Sequence, residues 1–173
     1  KDGAGTGVFW HPDRKLSATG NYSPGKKENG TWVYYHANGN KSSVEQYDKG
    51  AFVNRKYFDA GGSALTDTTN TEKDASLPGG AGAWRKYLEK NLKLPEGYKI
   101  ENSDRVTVIV DFIVDTDGNI QDAYTSVPFH PAFDDIALGI IRNSPKWNPA
   151  TDKHNRKIKV YRRQPITFAQ IKR

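Results

Sequence analysis

The chain has 173 residues, 35% hydrophobic and 27% charged, with a net charge of +6, a composition that fits one ordinary globular domain or two small ones. With no cysteine, disulfides, thiolate catalysis and cysteine-bound zinc are excluded. No apolar run reaches the roughly 18 residues a membrane-spanning helix needs, no signal-peptide pattern is present, and the lack of methionine leads us to expect a mature or truncated fragment whose targeting segment or anchor lies outside it.

The first 65 residues hold an internal repeat. Phe9-Trp10-His11 returns as Tyr34-Tyr35-His36, and Gly20–Gly25 returns as Glu45–Gly50 at the same 25-residue offset. A shortened third copy runs from Lys56-Tyr57-Phe58-Asp59 to Gly61-Gly62. Such periods mark stacked supersecondary units. Each copy reads as aromatic strand, turn, strand, turn: Thr31–Tyr35 is rich in β-branched and aromatic residues, and Asn38-Gly39 is a hairpin turn that accepts positive φ. The stretch Gly30-Thr31-Trp32-Val33-Tyr34-Tyr35-His36-Ala37-Asn38-Gly39 resembles a MORN-type repeat. The first copy departs at Pro12-Asp13-Arg14, and the third lacks the tryptophan. A meander of two to three copies has ends that need capping.

Residues 66–80 show no hydrophobic period and read as a linker. Beyond it, Trp84, Tyr87, Leu88, Asn91 and Leu92 fall on one stripe of a helix over 81–92, which Pro95 stops. Residues 105–115 alternate strictly, with Val106, Val108, Val110, Phe112 and Val114 on one face of a strand. Asp115-Thr116-Asp117-Gly118 is a tight turn, and 119–127 is the returning strand. His130-Pro131 opens a helix whose stripe is Phe133, Ile136, Ala137, Ile140 and Ile141; Trp147-Asn148-Pro149 ends it and crosses over. In the last strand Ile158, Val160, Ile166 and Phe168 share the core-facing side. Arg162 and Gln164 interrupt that side, which sets the middle of the strand at an edge or beyond the core. After Asp152 there is no acid, whereas Lys153, Arg156, Lys157, Lys159, Arg162, Arg163, Lys172 and Arg173 are basic. This is either a solvated strand face or a patch that attracts nucleic acid, anionic lipid or an acidic protein surface.

The order helix, strand, strand, helix, strand predicts an α+β domain: a small antiparallel three-stranded sheet covered on one face by two helices, preceded by an all-β repeat meander. The expected domains are 1–65, a linker over 66–80, and 81–173. Five segments carry a family resemblance: Pro78-Gly79-Gly80, Asn91–Pro95, Val110–Ile120, Pro145-Lys146-Trp147-Asn148-Pro149 and Pro165-Ile166-Thr167-Phe168. No one of them is specific, but all five in order resemble the TonB C-terminal domain over residues 77–169. Departures are Leu94 before Pro95, the stretch Gly97–Asp104, and Asn148-Pro149-Ala150.

No enzyme signature competes with this resemblance. Asp115-x-Asp117-Gly118 is part of a calcium-loop pattern, but that register puts Ile113 and Tyr124 where carboxylates are needed, so a turn is the better reading. His11 and His36 occupy equivalent repeat positions, which explains the pair without a metal; a zinc site needs more ligands. His130 starts a helix. No nucleophile elbow or catalytic Ser, His, Asp spacing appears, and Gly79-Gly80-x-Gly82 lacks the strand and Lys-Ser/Thr of a phosphate loop. Trp84 and Trp147 fit core packing. The aromatic row Trp10, Tyr22, Trp32, Tyr34, Tyr35, Tyr47, Tyr57 and Phe58 suits repeat packing better than stacking of sugars or bases.

The resemblance implies a non-enzymatic, cofactor-free, periplasm-facing binding module of a Gram-negative envelope, similar to proteins of the Bacteroides group and membrane-anchored in the full-length protein. In the family this domain docks on an extended plug segment of an outer-membrane transporter, which adds as a strand to the sheet edge. Carried over, the partner-binding residues are Lys93, Leu94, Pro95, Lys157, Ile158, Lys159, Val160, Tyr161, Arg162, Arg163 and Gln164. Lys157, Lys159, Tyr161 and Arg163 are expected on the outward side, and Pro165 removes a donor that bounds the register. A homodimer by strand exchange is a further expectation; nucleic acid is not expected as a partner. The alternatives are an envelope scaffold or lipoprotein without energy transduction, and a glycan-binding protein using the repeat aromatics.

Overall fold

A computed structural model of the chain describes residues 2–69 and 72–170. The linker residues Asn70 and Thr71 and the terminal charges Lys172 and Arg173 lie outside the described residues. The chain divides into two compact units, Lys1–Lys73 with Thr151–Lys157, and Asp74–Ala150 with Ile158–Arg173. The C-terminal domain expected over 81–173 is thus interrupted, because Thr151–Lys157 groups with the repeats.

The first unit is a five-stranded antiparallel meander of β1 (Gly5–Trp10), β2 (Leu16–Ser23), β3 (Lys27–Tyr35), β4 (Lys41–Asp48) and β5 (Ala51–Tyr57), in that order. The repeat shows directly in its turns. His11–Lys15, His36–Asn40 and Asp59–Ser63 are closed by the same pair of backbone bonds, such as His36 N to Asn40 O at 2.8 Å and Gly39 N to His36 O at 2.9 Å. Gly39 has φ 91° there, and Arg14 takes the equivalent place at φ 66°, which is how the first copy makes the turn without the glycine. The repeat histidines staple one copy to the next: His11 Nε2 lies 2.9 Å from Tyr35 O, and His36 Nε2 lies 3.0 Å from Phe58 O.

Strand periodicity puts the aromatics on one face. Cross-strand partners Phe9↔Ala18↔Tyr34↔Ser43↔Tyr57 and Trp32↔Glu45↔Arg55 share it. Trp32, 1% exposed, lies flat over Gly20, where an added Cβ would run into its indole. Its Nε1 donates to Asn21 O at 3.1 Å, satisfying its one polar atom. Tyr34, Tyr47 and Tyr57 are buried as well. The aromatic row is therefore packed interior at Trp32, Tyr34, Tyr47 and Tyr57, and no stacking platform for a glycan is open at these four rings.

The second unit contains α1 (Gly80–Asn91), β6 (Arg105–Val114), β7 (Ile120–Val127) and α2 (Pro131–Arg142). Two short strands, β8 (Ala150–Thr151) and β9 (Lys157–Ile158), pair with each other, and β10 (Val160–Ala169) is the last strand among the described residues. The main sheet has three antiparallel strands in the order β10-β6-β7. Val108, Val110, Phe112 and Val114 of β6 are buried against Phe133, Ala137, Ile140 and Ile141 of α2, the stripe the sequence predicts. His130 caps α2 through Nδ1, which accepts from Ala132 N at 3.2 Å, and Pro131 sits where a missing N–H costs nothing.

Two of the sequence segments that looked separate meet here. The turn carboxylate Asp115 accepts from the N–H groups of Asp117 and Asn119, both at 2.9 Å; desolvation, the largest single influence, pushes its pKa up, but the hydrogen bonds of the turn together outweigh it and hold the pKa below the usual carboxylate value. The turn closes on Gly118 at φ 84°, where an added Cβ would strike the Trp147 carbonyl. Trp147 N in turn donates to Gly118 O at 2.9 Å, and its ring packs on Phe112 and Trp84 at centroid distances of 5.3 and 5.9 Å. The glycine is needed both for its φ and for this close approach.

Candidate functional site

β10 is an edge strand. All ten of its residues pair with β6, from Val160↔Val114 to Ala169↔Arg105, and among the described residues no strand pairs with its other side. An edge so placed presents a row of backbone groups to a partner strand. Pro165 is tolerated in the middle of β10 because edge strands can spare a donor.

The strand's two faces are different in kind. Ile166 and Phe168 are buried in the core, continuing the side on which Val160, Arg162 and Gln164 are half-buried. The Arg162 guanidinium lies over the Trp147 ring at 6.0 Å and reaches Asp74 at 3.4 Å, so this arginine packs against the core by its planar group instead of projecting beyond it. On the opposite face Tyr161 is 72% exposed, Arg163 Nε pairs with Asp111 Oδ1 at 3.1 Å, and Thr167 shares a 2.9 Å hydrogen bond with Thr107. The ion pair and the threonine pair are cross-strand contacts that tie β10 to β6.

Lys157, Ile158 and Lys159 do not belong to this edge. Lys157 and Ile158 form β9, Lys159 lies in no strand, and Ile158 is 36% exposed where the alternation placed it on the core side. The physical reason is the excursion of Thr151–Lys157 into the first unit: the chain rejoins the sheet only at Val160. Lys93 and Leu94 lie beside the other end of β10. With Leu88 and Leu92 of the α1 region and Thr167, Phe168 and Ala169, they line a groove of about 310 Å³. Pro95 follows, its carbonyl accepting from Tyr98 N at 3.3 Å. The proposed contact residues are thus spread along one strand, with Val160–Gln164 at its start and Lys93-Leu94 near its end.

A second constellation escaped the sequence reading. In the first unit, Glu45 of β4 and His154 are both buried and joined by a 2.7 Å bond from His154 Nδ1 to Glu45 Oε1. Ser43 Oγ donates to the same oxygen at 2.8 Å and Tyr47 OH to the other at 2.6 Å. Burial pushes the Glu45 pKa up, but the hydrogen bonds from His154, Tyr47 and Ser43 outweigh it and hold the group down at about 2. The same environment raises the Tyr34 and Tyr47 phenols, in each case mainly through burial. His154 stacks on Tyr34 at 3.5 Å between centroids. Arg156 Nη1 donates to Ser17 Oγ at 2.8 Å, Asn155 Nδ2 to Phe58 O at 2.9 Å, and Tyr57 OH to Lys153 O at 2.7 Å. Every polar atom of the Glu45 carboxylate is used internally. This is a clasp that holds Thr151–Lys157 on the aromatic face.

Among the described residues no group of three or more His, Cys, Asp or Glu side chains could hold a metal, and no helix is long and apolar enough to cross a membrane. Searches of curated proteins and of solved structures returned no match. Residues 101–169, which carry β6, β7, α2 and β10, match the family model described as Gram-negative bacterial TonB protein C-terminal, so this part of the chain is similar to a family of periplasmic, non-enzymatic protein-binding domains.

Proposed function

We propose that the second unit is a non-enzymatic, periplasm-facing docking module of a TonB-like energy transducer, anchored to the membrane in the full-length protein. It binds an extended plug segment of an outer-membrane transporter by adding it as a strand beside β10. The observation that carries this reading is the open side of β10, fully paired to β6 on the other, in the segment that matches the family model. Arg163 and Tyr161 on the exposed face, together with Lys93 by the groove, favour a partner segment bearing acidic residues. The N-terminal meander, in this reading MORN-type repeats, stands as a separate module of the same envelope protein.

The test is an NMR titration of the whole chain with plug-segment peptides from candidate transporters of the same organism. Backbone shifts concentrated on Val160–Ala169 and Lys93-Leu94 are expected, and Val160→Pro is expected to abolish them while the dispersion of the rest of the spectrum persists. Binding that is unchanged in Val160→Pro, or shifts confined to other strands, would overturn strand addition; silence with every peptide would move the reading to an envelope scaffold without energy transduction.

A further inference from the structure

The odd-numbered strands of the meander close on pairs of large aromatic side chains: Phe9-Trp10 in β1, Tyr34-Tyr35 in β3, and Tyr57-Phe58 at the end of β5. Strand alternation sends the two members of a pair to opposite faces. Phe9 and Tyr34 turn inward, each with its ring centroid 6.2 Å from that of Trp32, and Tyr57 is buried. Trp10, Tyr35 and Phe58 therefore turn to the other face, which the Glu45–His154 clasp does not occupy. Trp10 is 63% exposed there, and Tyr35 and Phe58 are half-buried. The packed interior accounts for the first member of each pair and leaves the second unexplained.

The spacing of this outer row is fixed by the repeat. The carbonyls of Tyr35 and Phe58 are the groups to which His11 and His36 are stapled, so each of these two rings is set by the copy before it. Odd strands lie two strand spacings apart, about 9.5 Å. Between the rings come Leu16 and Lys41, the cross-strand partners of Trp10 and Tyr35, and Lys56 Nζ stands 5.8 Å from the Phe58 ring centroid. Behind the row, Thr19, Val33 and Val44 pair across the same face as a low β-branched floor. Next to it lie Thr31 and Gln46, hydrogen-bonded to each other at 2.8 Å. The face thus runs from rings and cations to hydroxyl and amide groups.

We propose that this outer face of the meander binds a linear polysaccharide whose sugars carry carboxylates. The ligand class follows from the period. Rings repeated at a fixed interval suit a polymer with a repeat of its own, and about 9.5 Å is the length of two β-linked sugar units. A pyranose presents a flat face of C–H groups that stacks on an aromatic ring and buries apolar area while its hydroxyls stay in water. Lys41 and Lys56 meet the carboxylates, and Thr31 and Gln46 lie where hydroxyls need partners. The polymer runs across the strands, along Trp10, Tyr35 and Phe58. The site is a face and not an edge, so it holds whichever strand lies beside β1.

The test is an NMR titration of the full chain with two probes, a hyaluronan octasaccharide and an oligomer of β-linked mannuronate. Backbone shifts centred on Trp10, Tyr35, Lys41 and Phe58 are expected with at least one of them. Tyr35→Ala is expected to weaken that binding about tenfold, the loss of one stacking ring, and Lys41→Gln with Lys56→Gln to weaken it and flatten its dependence on salt. Trp10→Ala, at the most exposed ring, is the second variant should Tyr35→Ala disturb the fold, and circular dichroism reports on both. Val160→Pro, outside the meander, is expected to leave binding unchanged, which separates this site from strand addition at β10. No shifts with either probe, or affinity unchanged in both Tyr35→Ala and Trp10→Ala, would overturn the proposal. So would tighter binding of a deoxythymidine oligonucleotide to the same rings, since bases also stack on such a row.

Discussion

The two units solve the problem of a small core in opposite ways. The second buries a contiguous aliphatic and aromatic cluster, fifteen residues among those described, between one sheet and its helices. The first has a buried cluster of four among the described residues, Ala18, Trp32, Tyr34 and Tyr47, on one face of a meander. It adds what the cluster lacks with a hydrogen-bonded polar clasp, Glu45–His154, supplied by a segment more than a hundred residues away in sequence. A core of aliphatic side chains tolerates local loss by partial collapse; a buried carboxylate does not tolerate loss of its donors, because it is then left as a desolvated charge.

That contrast can be broken most directly at the clasp. His154→Ala is expected to destabilise the first unit by about 3–5 kcal/mol, read as an earlier urea transition of the tyrosine and Trp32 signals. The pair Glu45→Leu with His154→Leu should recover much of the loss, since it removes the buried carboxylate together with its donor; equal losses in the single and double variants would show that the clasp is packing alone. The same carboxylate gives a pH dependence. Its folded pKa, about 2, is below the model-compound value of 4.5, so its contribution is complete above about 4.5 and is lost as pH falls toward 2. Acid titration should therefore loosen the first unit in that window, and Glu45→Gln should flatten the profile there.

Next in size is Gly20→Ala, which drives a methyl into the Trp32 ring and is expected to cost about 3 kcal/mol, with Gly82→Ala, in open space on α1, stabilising by about 0.5–1 kcal/mol as the contrasting case. The smallest effect is expected at Arg163→Ala. Its ion pair with Asp111 is exposed on the arginine side, so thermal stability should change by less than about 1 kcal/mol, while affinity for an acidic plug peptide falls and loses part of its salt dependence.

Local rules made most of this architecture readable. Period-two alternation located β6, the apolar stripe located α2, and the 25-residue offset located the hairpins, since each depends on neighbours in sequence. The Asp115–Gly118 turn was legible from its own residues, yet its reason, the Trp147 carbonyl against Gly118, is a contact across the fold. The misplacements share that cause. Ile158 alternated correctly with Val160, but the preceding residues are held elsewhere, so the strand starts later. His154 carries no signal in the sequence, because nothing near it announces a buried carboxylate on β4.

The discontinuity of the first unit has a consequence for how the protein is made. Its five strands leave the ribosome early, and domains ordinarily fold from the N-terminus as they emerge. Here the carboxylate of Glu45 must await a histidine translated 109 positions later, so the repeats cannot reach their final state until Thr151–Lys157, beyond every strand of the second unit except the last, has been made.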